Sequence, residues 1–342
     1  LFDEVIPSST FWWMGLAGAI GLFISILAHE LGHALVARRF DMPMRGITLF
    51  IFGGVAEMTK EPPSPKAEFL VAIAGPIVSV VIAIVCFLAG TYGKAVLAVP
   101  VAGVLWYLGA INGVLIGFNM IPAFPLDGGR VLRSILWQVK GSLRWATRIT
   151  STIGSGFGLF LILLGVISFI GGNFVGGMWQ FLIGMLLRGA AQMSYQQVLI
   201  RHALEGEPVE RFMHRNVVTV PPTTTVHQLV EDYIYQFHHK MFPVTDEGLL
   251  LGCVTTRDVQ LVPRDEWDQR TVGEIVKPCV EENTILRGTD AMQALSTMSR
   301  NGASRLMVVE NSHLEGILSL KDLLKFISLK VELEEGNGEI RK

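Results

Sequence analysis

From Phe11 to Ala28 eighteen consecutive residues carry no charge, and His29-Glu30-Leu31-Gly32-His33 follows directly. A run of that length is long enough to enter a bilayer as a helix, where backbone groups must be satisfied within the segment itself. On a helix, positions i and i+4 share a face, so both imidazoles can reach one cation. His-Glu-x-x-His is the zinc-hydrolase pattern, with two histidine ligands and a glutamate as general base. Ionisable groups inside a bilayer are costly and usually functional. The segment therefore points to hydrolysis within a membrane; the bland alternative is a buried histidine pair satisfied by hydrogen bonds.

Composition divides the 342 residues in two. Overall, 50% are hydrophobic and 17% charged, but residues 11–195 hold several long apolar runs and residues 202–342 read as a soluble sequence. Two domains are expected, a transmembrane one over 1–200 and a soluble one over 201–342. The net charge of −2, with no basic patch interleaved with aromatics, gives no reason to expect nucleic acid as a partner. Cys86, Cys253 and Cys279 form no CxxC pair, which argues against a disulfide framework or a thiolate zinc site.

Candidate crossings lie at 11–37, 68–90, 95–121, 151–171 and 174–195. Between the first two, the run from Ile47 to Ala56 is too short to span and contains Gly53-Gly54. It reads as a re-entrant strand or hairpin lining a cavity, where irregular backbone is tolerated. Loops 38–66 and 122–150 each carry five Lys or Arg, whereas the opposite side offers only Lys94. The positive-inside rule then places both loops, and everything after Arg188, in the cytoplasm. The first visible helix would enter from outside, so a cytoplasmic native N-terminus would require a further crossing upstream of Leu1.

A catalytic zinc site needs a third protein ligand. The best candidate is Asp127, in Asn119-Met-Ile-Pro122-Ala-Phe-Pro125-Leu-Asp127-Gly128-Gly129-Arg130. The topology brings Asp127 and His33 toward the same side; the alternative for Asp127 is a turn or helix-cap residue. Asn119 is a candidate donor to a scissile carbonyl oxygen, or else a packing amide between helices. Gly53-Gly54 and the strand before them are suited to pair with an unwound substrate strand. Ala74-Gly75-Pro76 reads as close packing rather than chemistry.

At these residues the chain resembles the site-2 protease family of intramembrane zinc metallopeptidases. HELGH at 29–33, FGG at 52–54, AGP at 74–76 and NMIPAFPLDGGR at 119–130 match its motifs in order. The resemblance implies one zinc held by His29, His33 and Asp127, with Glu30 as base. It also implies a transmembrane segment of a single-pass membrane protein as substrate, cleaved near the cytoplasmic side. No PDZ-like domain stands between the motifs, which is similar to the branch carrying C-terminal CBS domains.

The soluble half contains an internal repeat. Gly252-Cys-Val-Thr255-Thr-Arg-Asp258 recurs as Gly316-Ile-Leu-Ser319-Leu-Lys-Asp322, each after a β-rich run and before an apolar helix start. The β-α-β-β-α order resembles a tandem CBS pair over about 209–265 and 272–330. In that family the G-x-x-[ST]-x-x-D segment holds an adenine nucleotide (ATP, ADP or AMP), which assigns Thr255, Asp258, Ser319 and Asp322 to ribose and phosphates. The plain alternative is that Thr255 and Ser319 cap helices, with Asp258 and Asp322 in the first turn. CBS pairs associate face to face, so a homodimer is expected. The expected fold is an α-helical polytopic membrane domain with a short re-entrant β segment, followed by an α/β tandem CBS pair. The competing function is a CBS-regulated divalent-cation transporter or channel.

Overall fold

Helix α1 (Ser8–Arg38) runs without interruption through the uncharged segment and the histidine pair. The structure, a computed structural model, describes residues 7–42, 44–50, 53–58, 62–93, 98–280 and 282–339. Two strands, β1 (Met44–Phe50) and β2 (Gly53–Met58), follow α1 as an antiparallel hairpin in which Leu49 pairs with Gly54 and Phe50 with Gly53. Next come α2 (Pro65–Tyr92), whose first turn is capped by the Ser64 hydroxyl, and α3 (Val99–Asn119). Prolines at 122 and 125 lie in the turns beyond α3, where the missing N–H groups cost no helical bond.

Residues 122–150, read from the sequence as a loop, contain a helix of their own. α4 (Asp127–Lys140) is amphipathic and basic rather than uniformly apolar, so a search for long apolar runs passes over it. It ends at Gly141, whose φ of +67° is the left-handed conformation that suits a C-cap. Ser142 then caps α5 (Leu143–Ile170), and α6 (Phe174–Leu204) follows.

Among the described residues five helices, α1, α2, α3, α5 and α6, are long and apolar enough to cross a membrane. Their burial pattern is that of a lipid-solvated protein. Ile24, Val85, Val114, Phe160 and Met185 are at least half exposed, while Gly18, Ser25, Ser79, Asn112 and Thr150 are buried. In water that arrangement would leave an untenable apolar surface; in lipid it is ordinary, because small and polar residues mediate helix contact.

The chain divides within α6 into two units, Leu1–Val198 and Leu199–Lys342. The second is α/β. Its first repeat holds α7 (Val226–Gln228), a π-helical turn (Leu229–Ile234), α8 (Tyr235–Phe237), β3 (Met241–Asp246), β4 (Leu249–Thr255) and α9 (Thr256–Gln260). α10 (Val272–Ile275) and β5 (Lys277–Pro278) link it to the second repeat. That repeat contains β6 (Thr284–Leu286), α11 (Ala291–Asn301), β7 (Arg305–Glu310), β8 (His313–Ser319) and α12 (Leu320–Glu339). The hairpins β3–β4 and β7–β8 begin 64 residues apart and carry a register shift at equivalent places, Val244/Thr245 and Val308/Val309. All six strands form one mixed sheet in the order β3-β4-β8-β7-β6, with β5 on β4.

The two cores exchange segments. Leu204, Val209, Phe212 and Met213 pack with Leu306, Leu318 and Leu323 of the second repeat. Val272, with Ile275 and Val276 against it, joins Val226, Phe242 and Val254 of the first. Each repeat is thus completed by chain that lies before or after it, which ties the pair into one folding unit.

Candidate metal centre

Helix α1 presents His29 and His33 on one face, as the i, i+4 spacing requires, and α2 receives them. Val71, Gly75 and Ser79 recur every four residues and form the opposing stripe on α2. The Val71 carbonyl lies 2.7 Å from His33 Nδ1, and Ser79 Oγ lies 2.9 Å from His29 Nδ1. Both Nδ1 atoms are therefore engaged, and both Nε2 atoms turn toward a common point. Gly75 sits directly behind them: a Cβ there would lie 2.3 Å from His33 Nε2 and 2.6 Å from His29 Nε2. Only a glycine leaves room for the two rings.

Asp127 is the first residue of α4 and closes the triangle. Its Oδ2 is 3.1 Å from His29 Nε2 and 3.3 Å from His33 Nε2, while the two Nε2 atoms are 3.2 Å apart. The three side chains are only 4%, 5% and 12% exposed. A tetrahedral zinc with ligand bonds of about 2.0–2.1 Å places neighbouring ligand atoms about 3.3 Å apart. The two imidazoles and the carboxylate fit such an ion in donor type, spacing and orientation, and leave a fourth position uncommitted. Among the described residues, no other cluster of His, Cys, Asp and Glu is arranged to hold a metal.

Three supports for this triangle escape motif reading. The fully buried Glu68, at the start of α2, accepts from Arg133 Nε at 2.6 Å, and Arg133 also lies over the Phe124 ring at 4.7 Å. This ion pair fastens α4, and with it Asp127, to α2. The turn before Asp127 is held on its other side by α5: Phe124 N donates to Thr150 O, and a Cβ on Gly154 would lie 1.9 Å from Phe124 O. One helical turn before His29, Ser25 accepts a 3.1 Å bond from the buried Asn112 on α3. Helical spacing from known motif residues is the only signal in the sequence for Ser79 and Val71; Glu68, Arg133 and Asn112 carry none.

The remaining expected site residues fall as follows. Glu30 is half-buried beside His29 and makes no hydrogen bond among the described residues, which leaves its carboxylate uncommitted. Asn119 is the last residue of α3, half-buried, and no hydrogen bond ties it to the three-residue cluster. Gly53 and Gly54 begin β2. In the second unit Thr255 and Asp258 form a capping box on α9, with Asp258 also 2.6 Å from Lys277 Nζ. Ser319 donates to Asp322, which is 3.1 Å from His214 Nε2. All four are thus engaged as helix caps. A cavity of about 920 Å³ opens between the repeats, with Lys240, Thr255, Arg257, Lys277 and Arg305 among its walls. Of the four expected nucleotide residues only Thr255 lines it.

Comparison with known proteins follows the same division. The family model described as Peptidase family M50 matches residues 17–99 and 91–165, and the CBS domain model matches 209–262 and 272–329. A zinc metalloprotease of Methanocaldococcus jannaschii is 32% identical over 336 residues, 97% of this chain and 90% of that protein. A provisionally named zinc metalloprotease of Synechocystis sp. is 33% identical over 94% of this chain and 85% of its own length. Among solved structures, the site-2 protease from Methanocaldococcus jannaschii is 35% identical over 51% of this chain and 75% of that chain, with a TM-score of 0.42.

Proposed function

The chain belongs to the zinc metalloproteases of peptidase family M50, and on that premise we propose that it hydrolyses a peptide bond within a transmembrane segment of a membrane-anchored protein. One observation carries the reading: the buried triangle of His29, His33 and Asp127, with edges of 3.1–3.3 Å, formed where the first residue of α4 meets α1, a helix long enough to span a bilayer. In this reading those three residues hold one zinc ion. Zinc bound there supplies Lewis-acid polarisation of water and of the scissile carbonyl. Glu30, uncommitted beside His29, takes a proton from the attacking water as the C–O bond forms. It returns the proton to the amide nitrogen as the C–N bond breaks. Asn119 donates an N–H to the carbonyl oxygen as charge develops there.

A helical substrate hides its carbonyls in its own hydrogen bonds, so the enzyme must hold it unwound. The β1–β2 hairpin supports that step, because a two-stranded sheet leaves edge groups for a third strand, with Gly53 and Gly54 allowing close approach. Segments 38–66 and 122–150, rich in Lys and Arg, lie on the cytoplasmic side of a multi-pass cell-membrane protein, as does the domain 201–342. The tandem CBS repeats are a regulatory module in which the cationic cavity takes the phosphates of ATP, ADP or AMP. The pair also offers the surface of a homodimer. The reading is tested by zinc content alongside cleavage of co-expressed membrane-anchored regulatory proteins. The wild-type chain carries one zinc and cleaves; His33→Ala and Asp127→Asn lose both. Full cleavage by either variant rejects the assigned ligands.

A further inference from the structure

Helices α5 and α6 touch backbone to backbone where Gly158 meets Gly184 and Gly165 meets Gly177. A Cβ on Gly158 would be 2.7 Å from Gly184 O, and one on Gly165 would be 2.7 Å from Gly177 O. Beyond this seam, toward the start of α5, the helices line a cavity of about 430 Å³. Its surface is mainly apolar, but charged and polar side chains of both helices stand among its walls. Arg148, Ser151 and Ser155 recur at i, i+3 and i+7 on α5; Arg188, Gln192 and Tyr195 recur at i, i+4 and i+7 on α6. Each set is one helix face.

The two stripes do not satisfy one another. Among the described residues no hydrogen bond or ion pair joins them, and neither Arg148 nor Arg188 has a carboxylate partner. Ser151 is 6% exposed, and its buried hydroxyl has no hydrogen-bond partner. Polar and charged groups in spanning helices are expensive unless something satisfies them. Two guanidinium groups around one hollow call for an anion, and arginine's fork matches phosphate oxygens in pairs. The start of α5 lies within the basic stretch 122–150, which places the hollow at headgroup level.

We propose that this cleft binds the phosphate group of an anionic membrane lipid. Arg148 and Arg188 grip the phosphate, and Ser151 donates its otherwise unpartnered hydroxyl. A zwitterionic headgroup brings a cation next to the guanidinium groups and is disfavoured. The proposal rests on α5 and α6 spanning a bilayer and is independent of the metal centre.

The test is native mass spectrometry of the full chain in mixed micelles holding phosphatidylglycerol and phosphatidylcholine in equal amounts. Two interfacial arginines should give the wild type a preference of roughly tenfold to thirtyfold for phosphatidylglycerol. Arg148→Gln with Arg188→Gln should reduce the preference to near unity while zinc content stays unchanged. A control removing two other cations, Arg38→Gln with Lys66→Gln, should keep it. Ser151→Val, which retains both charges, should weaken retention several-fold and serves if the double variant does not fold. Equal preference in the wild type and in the variants of the cleft overturns the site. Loss of lipid selectivity in millimolar inorganic phosphate assigns the cleft to the free anion and overturns the lipid.

Discussion

At the scale of single residues, the proposed metal centre depends on atoms that orient the three candidate ligands as much as on those ligands. Ser79 holds His29 Nδ1 at 2.9 Å and so fixes which ring nitrogen faces the site. Such outer partners are typically worth about 10–100-fold in metal affinity. Ser79→Ala is therefore expected to weaken zinc binding by about that factor, measured by competition with a chelator; unchanged affinity would remove Ser79 from the account. Glu68→Gln leaves Arg133 buried without its carboxylate. Breaking such a pair costs about 3–5 kcal/mol, which thermal unfolding in detergent should register. The histidine pair was legible in the sequence because i, i+4 spacing is a local property. Asp127 was legible because a Pro/Gly-flanked carboxylate lies at the matching end of another apolar run. Ser79, Val71 and Glu68 were not, since their roles arise only once α1, α2 and α4 are packed together.

At the scale of elements, α4 is the lesson. Its apolar residues are spread along one stripe among Arg130, Arg133 and Lys140, so it lacks the continuous run that marks a crossing. Yet it carries Asp127 at its first position and sets where that carboxylate lies. The preceding turn rests on Gly154, so Gly154→Leu must displace the turn and move Asp127. Zinc affinity is expected to fall while helical content by circular dichroism is retained; intact affinity would mean that α4 is positioned from elsewhere. In the second unit, the β-α-β-β-α repeat was readable from the motif pair. The exchange of 204–213 and 272–276 between the cores was not, because it is a long-range choice. Burial alone would raise Asp258, but Lys277 and the Thr255 hydroxyl outweigh it and hold the group below its usual value. Burial is likewise outweighed at Asp322, by Ser319 and His214. The unfolded chain therefore takes up these protons first as pH falls. Both caps contribute stability above the ordinary carboxylate value of about 4, and that contribution declines as pH drops through it toward their lowered values. Thr255→Val with Ser319→Ala should flatten this acid limb in thermal melts of the full chain.

At the scale of the whole molecule, a lipid-solvated helical unit with a buried triad is joined through α6 to an α/β unit with a cationic cavity. Removing zinc with a chelator should abolish cleavage and leave any nucleotide affinity of the second unit intact, since the two sites share no residue. The most direct test of the central claim is the mass of the products formed from a membrane-anchored substrate in liposomes, comparing the wild type with zinc-loaded Glu30→Gln. The account predicts one cut inside the transmembrane segment by the wild type and none by the variant. Cleavage by Glu30→Gln at the wild-type rate, or a wild-type cut confined to the substrate's soluble part, would contradict it.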